Sequence, residues 1–580
     1  MSDFDLIIRG GTIVDGSGGE PYVADVAVKG GKIARVGQVS GSADQEIDAK
    51  GKLVTPGFID VHTHYDGQAV WSERMIPSSI HGVTTVVMGN CGVGFAPCRK
   101  DDHDLLVSVM EGVEDVPEVV MTAGLPWDWE TFPEYLDAVD RRPRDIDVAA
   151  YLPHSPLRVY VMGERGARRE APTDADIEEM KRLAREAMDA GALGFATSRL
   201  SAHATGQGDK IPSFDVGDRE LFAMGEVMRE RGEGVLQIVS DIGSNYDSEI
   251  QTLADLAVES GQQVTFTLAQ MNQDPEAWRR SVDKMRKAEE KGGRIKGQVY
   301  PRPIGMVMSL DATVNPFCCS PTYAHELVQL PMAERVKRLA DPAMREKLLA
   351  EEIEEAKTPI YRMARDWSKV FLLDNVADYE PDQSMSIEAM AAREGRDPLD
   401  VFYDLMLRKG GYQMFYCALA NYAEGSLDSI REMIVDPNTI VALGDGGAHY
   451  GVVCDASYPT FVLTHWVRDR EGERIPLPQA VKALTRDPAE VVGLKDRGLV
   501  KEGYKADINV VDFDNLQLNM PSMIDDLPGD GRRLMQDADG YVATIVSGEV
   551  ILRDGKSTPA RPGRLVRGAK QDPARHLETA

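Results

Sequence analysis

Two histidines separated by one residue are the first feature of this sequence that could do chemistry. His62 and His64 follow an apolar run that includes Leu53, Phe58 and Val61. Successive side chains of a β-strand point to opposite faces, so residues two apart share a face. Neutral imidazole is a good zinc ligand. The pair therefore predicts half of a metal site at the end of a strand; a chance His-x-His pair is the alternative.

A cysteine and an aspartate each lie in a glycine-rich turn after another apolar run. Cys91, which precedes Gly92, could offer a thiolate to a metal, or it could be a buried structural cysteine. Asp445, which precedes Gly446, could bind the metal and accept a proton from a water. A metal lowers the pKa of such a water from about 16 towards 7. The alternative is a turn aspartate that hydrogen-bonds its own backbone.

The elements that must position these residues are short apolar strands, which alternate with helical stretches in the middle of the chain. This alternation predicts βα units and a parallel sheet. Eight strands are the number that a closed (β/α)8 TIM barrel needs, and the active sites of such barrels lie at the C-terminal strand ends. His62 and His64 lie at such an end. The predicted strands are Gly57–Val61, Thr84–Met88, Val148–Leu152, Leu193–Ala196, Val235–Val239, Val264–Leu268, Lys296–Val299 and Ile440–Leu443.

Both chain ends are rich in β-strand patterns. Apolar triplets punctuated by glycines such as Gly10 and Gly11 are typical of hairpins, and the segment after Ala506 has the same texture. We therefore expect an α/β chain in which residues 1–55 and 491–580 form a small β-sandwich domain with a C-terminal tail. Residues 56–490 would form the barrel, with a helical insertion at about 304–435 that could cover its mouth.

One helix can be bounded from the sequence. Thr173 and Asp176 form a capping-box start, an apolar stripe runs from Ile177 to Ala187, and Gly191 ends the pattern. We interpret this stripe as core packing and not as a binding site.

Composition excludes several classes of function. The net charge of -29 argues against binding of nucleic acids or anionic membranes, which need a basic surface. Six cysteines are too few for a disulfide scaffold in 580 residues. The N-terminus lacks the basic region of a signal peptide, and no stretch approaches the roughly 18 apolar residues of a membrane span. We expect a cytoplasmic protein with a small-molecule substrate.

Taken together, the motifs resemble the amidohydrolase superfamily, and specifically its N-acyl-D-amino-acid deacylase (D-aminoacylase) group. The resemblance covers nearly the whole chain and rests on these segments: Asp5–Gly16, Pro56–His64, Gly82–Gly92, Asp445–His449, Leu484–Ala489 and Gly503–Asp507. It implies a TIM barrel with a small β-sandwich, a catalytic metal that is usually zinc, and hydrolysis of an amide on an N-acylated amino acid. We also expect a homo-oligomer.

The resemblance also assigns roles to single residues. It implies that His62 and His64 form the metal-binding pair, that Cys91 is the bridging ligand and that Asp445 is the catalytic aspartate. Tyr300, which follows the seventh strand, matches a position where the family places a substrate-contacting tyrosine.

The sequence departs from the family where further histidine ligands usually follow strands five and six. Gln237 and Gln270 are the nearest polar groups there, and neutral amides rank below imidazole as zinc ligands. We therefore predict at most one metal, held by His62, His64, Asp445 and Cys91. The two glutamines would orient water or substrate.

Three side chains at other strand ends are further candidates for substrate binding. His154 could contact an acyl oxygen or brace its own loop. Arg199 offers a planar fork that suits a carboxylate, but it could equally form an internal salt bridge, and His203 could assist it. We expect hydrolysis of N-acyl-D-amino acids or similar compounds. Another amide, cyclic amide or peptide is the alternative substrate, and a degenerate amidohydrolase that only binds a small molecule is the alternative of another class.

Overall fold

The structure, a computed structural model, describes residues 2–243, 245–351, 362–571 and 573. All eight strands predicted for the middle of the chain are present, and neighbours in sequence pair in parallel. Their bounds are Phe58–Asp60, Val83–Met88, Asp147–Ala150 continued by Leu152–Pro153, Gly194–Ser198, Val235–Val239, Gln263–Thr267, Arg294–Val299 and Thr439–Val441.

The parallel strands form two ladders that are linked at both ends. The third strand is divided at Tyr151, so that its first half pairs with strand two and its second half pairs with strand four. Strands one and eight approach through their C-terminal turns: the Asp445 amide donates to the His62 carbonyl at 3.1 Å, and the His64 amide donates to the Gly446 carbonyl at 2.8 Å. This order is the one that a (β/α)8 barrel requires.

Helices alternate with the parallel strands along the chain. The helix Asp174–Ala190 confirms the sequence prediction, because both capping-box bonds between Thr173 and Asp176 are present and Gly191 adopts φ 110°. The main helices are His103–Glu114, Glu118–Gly124, Phe132–Arg141, His154–Met162, Asp174–Ala190, Asp218–Arg231, Tyr246–Ser260, Ala277–Glu290, Asp428–Val435, Leu477–Leu484 and Arg486–Val491. Among the described residues, no helix is both long enough and apolar enough to cross a bilayer.

Strands from both chain ends pair in one sheet. Leu53–Pro56 is the link, because it runs parallel to Phe4–Ile13 and antiparallel to Ile508–Val511. The other strands of this sheet are Phe4–Ile13, Tyr22–Lys29, Lys32–Gly37, Ala43–Asp48, Tyr541–Val546, Glu549–Arg553 and Lys556–Ser557. The hairpin interpretation of Gly10 and Gly11 is wrong: Phe4–Ile13 is one strand, and Gly10, with φ 65°, forms a bulge in it.

The insertion at about 304–435, predicted from the sequence to be helical, also contains a small β-sheet. Helices are present at Met332–Leu339, Pro342–Leu349, Ile387–Glu394 and Pro398–Met406, but three strands, Ile304–Met308, Val370–Leu373 and Met414–Ala420, form an antiparallel sheet. These strands are far apart in sequence, so no local turn signal connects them. Their buried side chains share a hydrophobic core with the insertion helices.

A half-buried carboxylate joins the insertion to the segment that follows strand eight. Glu380 is 2.7 Å from His465 Nε2 and accepts two hydrogen bonds from the Arg470 guanidinium, at 2.7 and 2.9 Å. Burial by itself raises the pKa of Glu380, but the hydrogen bonds from His465, Arg470 and the Leu427 amide outweigh it and lower the pKa to about 2 from 4.5.

This shift predicts a loss of stability in acid. A carboxyl whose pKa is lower in the folded state stabilises the fold above its unfolded pKa, and the contribution disappears as the pH falls from about 4.5 to about 2. The pKa shift of Glu380 contributes at most roughly 3 kcal/mol to the free energy of unfolding at neutral pH. Urea denaturation should show that Glu380→Gln lowers the free energy of unfolding at pH 7 and removes this part of the acid dependence. The exposed Glu388→Gln is the control; equal pH profiles for the two variants would contradict the assignment.

Candidate metal centre

Three ligand atoms converge at the C-terminal ends of the first two parallel strands. His62, His64 and Cys91 are buried, and their ligand atoms lie within 4.8 Å of one another. Cys91 Sγ is 3.5 Å from His62 Nε2 and 3.9 Å from His64 Nε2. Tetrahedral zinc, with bonds of about 2.0–2.1 Å to nitrogen and about 2.3 Å to sulfur, separates its ligand atoms by about 3.3–3.6 Å. The side chains therefore already stand close to the separations that a tetrahedral metal requires.

The other nitrogen of each ring faces an oxygen atom. His62 Nδ1 is 2.7 Å from Gln298 Oε1, and His64 Nδ1 is 3.3 Å from Glu114 Oε1. A proton on each Nδ1 leaves the Nε2 lone pairs free for a metal, which is the usual role of outer partners in such sites. Burial lowers the pKa of both histidines, that of His62 to about 4, so both rings are neutral ligands near pH 7.

Asp445 brings a carboxylate to the same point from the loop after strand eight. Its Oδ1 lies 3.7 Å from His62 Nε2 and 3.6 Å from His64 Nε2, and it is buried without a hydrogen-bond partner among the described residues. Burial raises the pKa of Asp445, but the interaction with His64 and the nearby His62 outweigh burial and lower it. Asp445 is therefore an anion with an oxygen atom available to a cation or to a proton.

The Cys91 thiol is held in place by its own backbone. Cys91 has φ 56°, and its amide donates to Gln237 Oε1 at 3.1 Å. Gly92 allows the loop to approach the fourth strand, since a Cβ there would lie 2.6 Å from Thr197 Cα. Burial raises the pKa of the thiol, so a thiolate at this position needs a nearby cation.

Glu114, Gln298 and His449 also lie at this centre, and none of the three is among the site residues predicted from the sequence. Glu114 ends the helix His103–Glu114, and its second oxygen lies 3.4 Å from His449 Nε2. Burial raises the pKa of Glu114, and Asp445 and Asp66 raise it further. Neither residue gave a signal of its own in the sequence: Gln298 lies in a strand, Arg294–Val299, with several other polar residues, and Glu114 lies in an ordinary helix.

Two of the residues predicted to bind substrate form hydrogen bonds and ion pairs within the protein instead. Both ring nitrogens of His154 are occupied: Nδ1 is 2.8 Å from Thr197 Oγ1 and Nε2 is 2.7 Å from Glu220 Oε2. Arg199 forms a forked pair with Glu249, at 2.6 and 2.9 Å, and a third contact with Asp218 at 2.8 Å. These contacts favour the loop-bracing and salt-bridge alternatives over substrate binding.

Two other residues predicted to bind substrate each have a buried polar atom without a hydrogen-bond partner among the described residues. His203 Nδ1 is buried without a partner among the described residues, and burial lowers the pKa of His203 to about 3, with His449, His64 and His62 as further contributors. Gln237 Nε2 is also buried and unpartnered within the described chain.

Gln270 and Tyr300 are turned towards internal partners. Gln270 Nε2 donates to Ser429 Oγ at 3.0 Å, and its Oε1 accepts from the Ala423 amide at 3.1 Å. The buried Tyr300 hydroxyl lies 3.5 Å from the Asp455 carbonyl. The structure thus groups His62, His64, Cys91 and Asp445 and brings Gln237 to Cys91, but holds Gln270 in a separate network.

Similarity to known proteins extends over nearly the whole chain. An uncharacterised protein of Mycobacterium tuberculosis (strain H37Rv) is 28% identical over 95% of this chain and 92% of its own length. D-aminoacylase of Alcaligenes xylosoxydans is 38% identical over 33% of this chain and 37% of its own length. N-acyl-D-glutamate deacylase of Bordetella bronchiseptica, solved with zinc and a phosphonate inhibitor, superposes with a TM-score of 0.63 at 23% identity, over 97% of this chain and 99% of that one. This structural likeness shows a shared fold.

Most of the chain also matches the profile of one protein family. The sequence profile described as "Amidohydrolase family" matches residues 45–552, which include His62, His64, Cys91 and Asp445. The chain is a member of the amidohydrolase family.

Proposed function

We propose that this protein is a metal-dependent hydrolase that cleaves the amide bond of N-acyl-D-amino acids or similar N-acylated small molecules. The observation that carries the proposal is the convergence of His62, His64, Cys91 and Asp445 on one point. The Nδ1 atoms of the two histidines face oxygen atoms of other residues, at 2.7 Å for His62 and 3.3 Å for His64. The deacylases among the similar proteins support the substrate class.

The architecture that we infer is one closed (β/α)8 barrel with a small domain built from both chain ends. The parallel order of the eight strands and the bonds between the turns after strands one and eight support the barrel. The mixed sheet that joins residues 4–56 to residues 508–557 supports the second domain. The domain limits near 55 and 490, a homo-oligomer and a cytoplasmic location stay predictions.

Asp445 is the acid–base residue in this proposal. A bound divalent metal, with zinc as our prediction, would polarise the amide carbonyl and make a water acidic enough to react near pH 7. Asp445 Oδ1, which has no hydrogen-bond partner in the described chain, accepts the proton of the attacking water. The same carboxyl then delivers the proton to the departing amine. Gln237 Nε2 is free to orient the substrate or the water.

We predict that the purified protein holds one metal ion per chain. His62, His64 and Cys91 form the single cluster of three or more potential ligands found in the described chain. Near the ends of strands five and six, where the family usually has two further histidines, the nearest polar groups are glutamines. Metal analysis after dialysis against metal-free buffer should give one zinc per chain. Chelation should abolish hydrolysis of N-acetylated amino acids, and added zinc should restore it. Two tightly held ions per chain would contradict this prediction.

A substrate panel tests the proposed activity itself. N-acetylated D- and L-amino acids, assayed with zinc present, should be hydrolysed, and the D series should be preferred. Hydrolysis of cyclic amides or peptides alone would favour the alternative substrates. Tight binding of these compounds without any turnover would identify a binding protein.

A further inference from the structure

Gln237 has a buried polar atom that no group in the described chain satisfies. It lies in the middle of the fifth parallel strand, Val235–Val239, and its side chain is fully buried. Its Oε1 accepts a hydrogen bond from the Cys91 amide at 3.1 Å, whereas its Nε2 has no hydrogen-bond partner among the described residues. A buried donor without a partner destabilises the fold, and a bound group that pairs with Nε2 would remove this cost.

The bond from Cys91 fixes which end of the Gln237 amide is free. A backbone N–H group can only donate, so the atom that it meets must be the amide oxygen. The free end is therefore the NH2 group, which offers two N–H donors and does not accept. Gln237 Nε2 can consequently pair with an oxygen atom of a bound molecule, but it cannot act as a metal ligand.

Strand register places Gln237 at the level of the metal centre. Gln237 pairs with Thr265 of the sixth strand, so the two side chains point to the same face of the sheet. Thr265 Oγ1 accepts from Gln298 Nε2 at 3.2 Å, and Gln298 Oε1 is 2.7 Å from His62 Nδ1. The thiol of Cys91, whose amide Gln237 accepts, lies 3.5 Å from His62 Nε2. The free end of the amide is therefore next to the candidate metal ligands.

The loop that carries Cys91 holds the Gln237 amide in one orientation. Gly92, with φ 67°, presses this loop against the fourth strand, since a Cβ there would lie 2.9 Å from the Ala196 carbonyl oxygen. Ala196 is the residue that pairs with Gln237 in that strand. A donor that is fixed in advance and shielded from water needs no reorganisation when charge develops beside it.

We propose that Gln237 Nε2 is an oxyanion donor, which hydrogen-bonds the carbonyl oxygen of the scissile amide and stabilises the negative charge that develops there. The inference rests on the proposed amide hydrolysis. As the water oxygen bonds to the carbonyl carbon, the π electrons of the carbonyl move onto its oxygen, and a water proton passes to Asp445. These electrons return when the C–N bond breaks and the departing amine takes that proton. The Gln237 donor favours the charged state over the neutral substrate.

Two substitutions separate the donor of this amide from its acceptor. Gln237→Glu keeps the length of the side chain and an oxygen for the Cys91 amide, but a carboxylate has no N–H group to donate. Gln237→Leu removes both functions without adding a charge. We expect each variant to lower kcat for N-acetyl-D-leucine by about 10²–10³-fold, the usual cost of losing one oxyanion donor. The zinc content of Gln237→Glu should equal that of the wild type.

Calorimetry gives a measurement that does not depend on turnover. The probe is the methylphosphonamidate of D-leucine, which has a tetrahedral phosphorus with charged oxygens in place of the acetyl carbonyl. On zinc-loaded protein we expect both Gln237 variants to bind this probe about 100-fold more weakly than the wild type does. In Asp445→Asn protein, Gln237→Leu should change the affinity for N-acetyl-D-leucine much less, because only the probe resembles the charged state.

A second buried glutamine provides the matched control. Gln263 pairs with Val235 at the opposite end of the same strands, and Gln263→Leu should keep the wild-type kcat and probe affinity. If Gln237→Glu kept both values within about threefold of the wild type, the donor role would be overturned. Gln237 would then act only as the acceptor that holds Cys91, and Gln237→Leu alone would be impaired.

The inference and the proposed function fail in different ways. Probe binding that depends on Gln237, in a wild-type protein that hydrolyses no amide, would support the donor and refute the proposed function. Amide hydrolysis with kcat and probe affinity unchanged in Gln237→Glu would support the proposed function and overturn the donor.

Discussion

Replacement of Asp445 by asparagine is expected to lower kcat by about 10²–10⁴-fold, the range that a positioned acid or base contributes. Asparagine keeps the shape of the side chain but cannot accept a proton at neutral pH. His62, His64 and Cys91 remain in place, since they converge without help from Asp445. Metal content should therefore stay close to one ion per chain while turnover falls.

The measurement is kcat for an N-acetylated amino acid, together with metal analysis of the same preparation. Asp311→Asn is the matched control, because Asp311 forms an ion pair with Arg532 away from the metal ligands. That control should retain wild-type turnover. If Asp445→Asn kept more than about a tenth of wild-type kcat, its role as acid and base would be refuted.

Removal of the Glu114 carboxylate is expected to weaken metal binding by about 10–100-fold, the usual cost of losing an outer partner of a histidine ligand. Glu114 faces His64 Nδ1 at 3.3 Å and His449 Nε2 at 3.4 Å, so it connects the loops after strands one and eight. Without it, the His64 ring loses the contact that orients Nε2 towards Cys91 and Asp445.

Zinc affinity would be measured by competition with a chelator for Glu114→Leu and Glu114→Gln. We expect Leu to have the larger effect, because the Gln amide oxygen can still accept a hydrogen bond from Nδ1. Glu111→Gln, one turn earlier on the same helix, is the control and should bind zinc as the wild type does. Unchanged affinity in both Glu114 variants would show that His64 is oriented by other contacts.

Local patterns were sufficient to predict the eight parallel strands and the helix Asp174–Ala190, and to select the candidate ligands that the structure brings together. The apolar runs before His62, Cys91 and Asp445 each end in a turn, and the C-terminal ends of parallel strands lie on the same side of a sheet. Prediction failed where pairing was distant: Ile304–Met308 and Met414–Ala420 are neighbours in the inserted sheet but are separated by more than a hundred residues of mostly helical pattern.

The sequence by itself determined which residues could bind a metal, because histidine, cysteine and aspartate at strand ends have few other uses in that combination. Only the tertiary structure decided how they are oriented and which neighbours are already engaged. Gln298 contacts His62 across 236 residues, and Glu249 holds Arg199 across 50. Contacts of this kind depend on packing between whole elements, and no periodicity or spacing within one element encodes them. For this reason the His62–His64 pair could be recognised from its own few residues, whereas the partners that make its Nε2 atoms available could not.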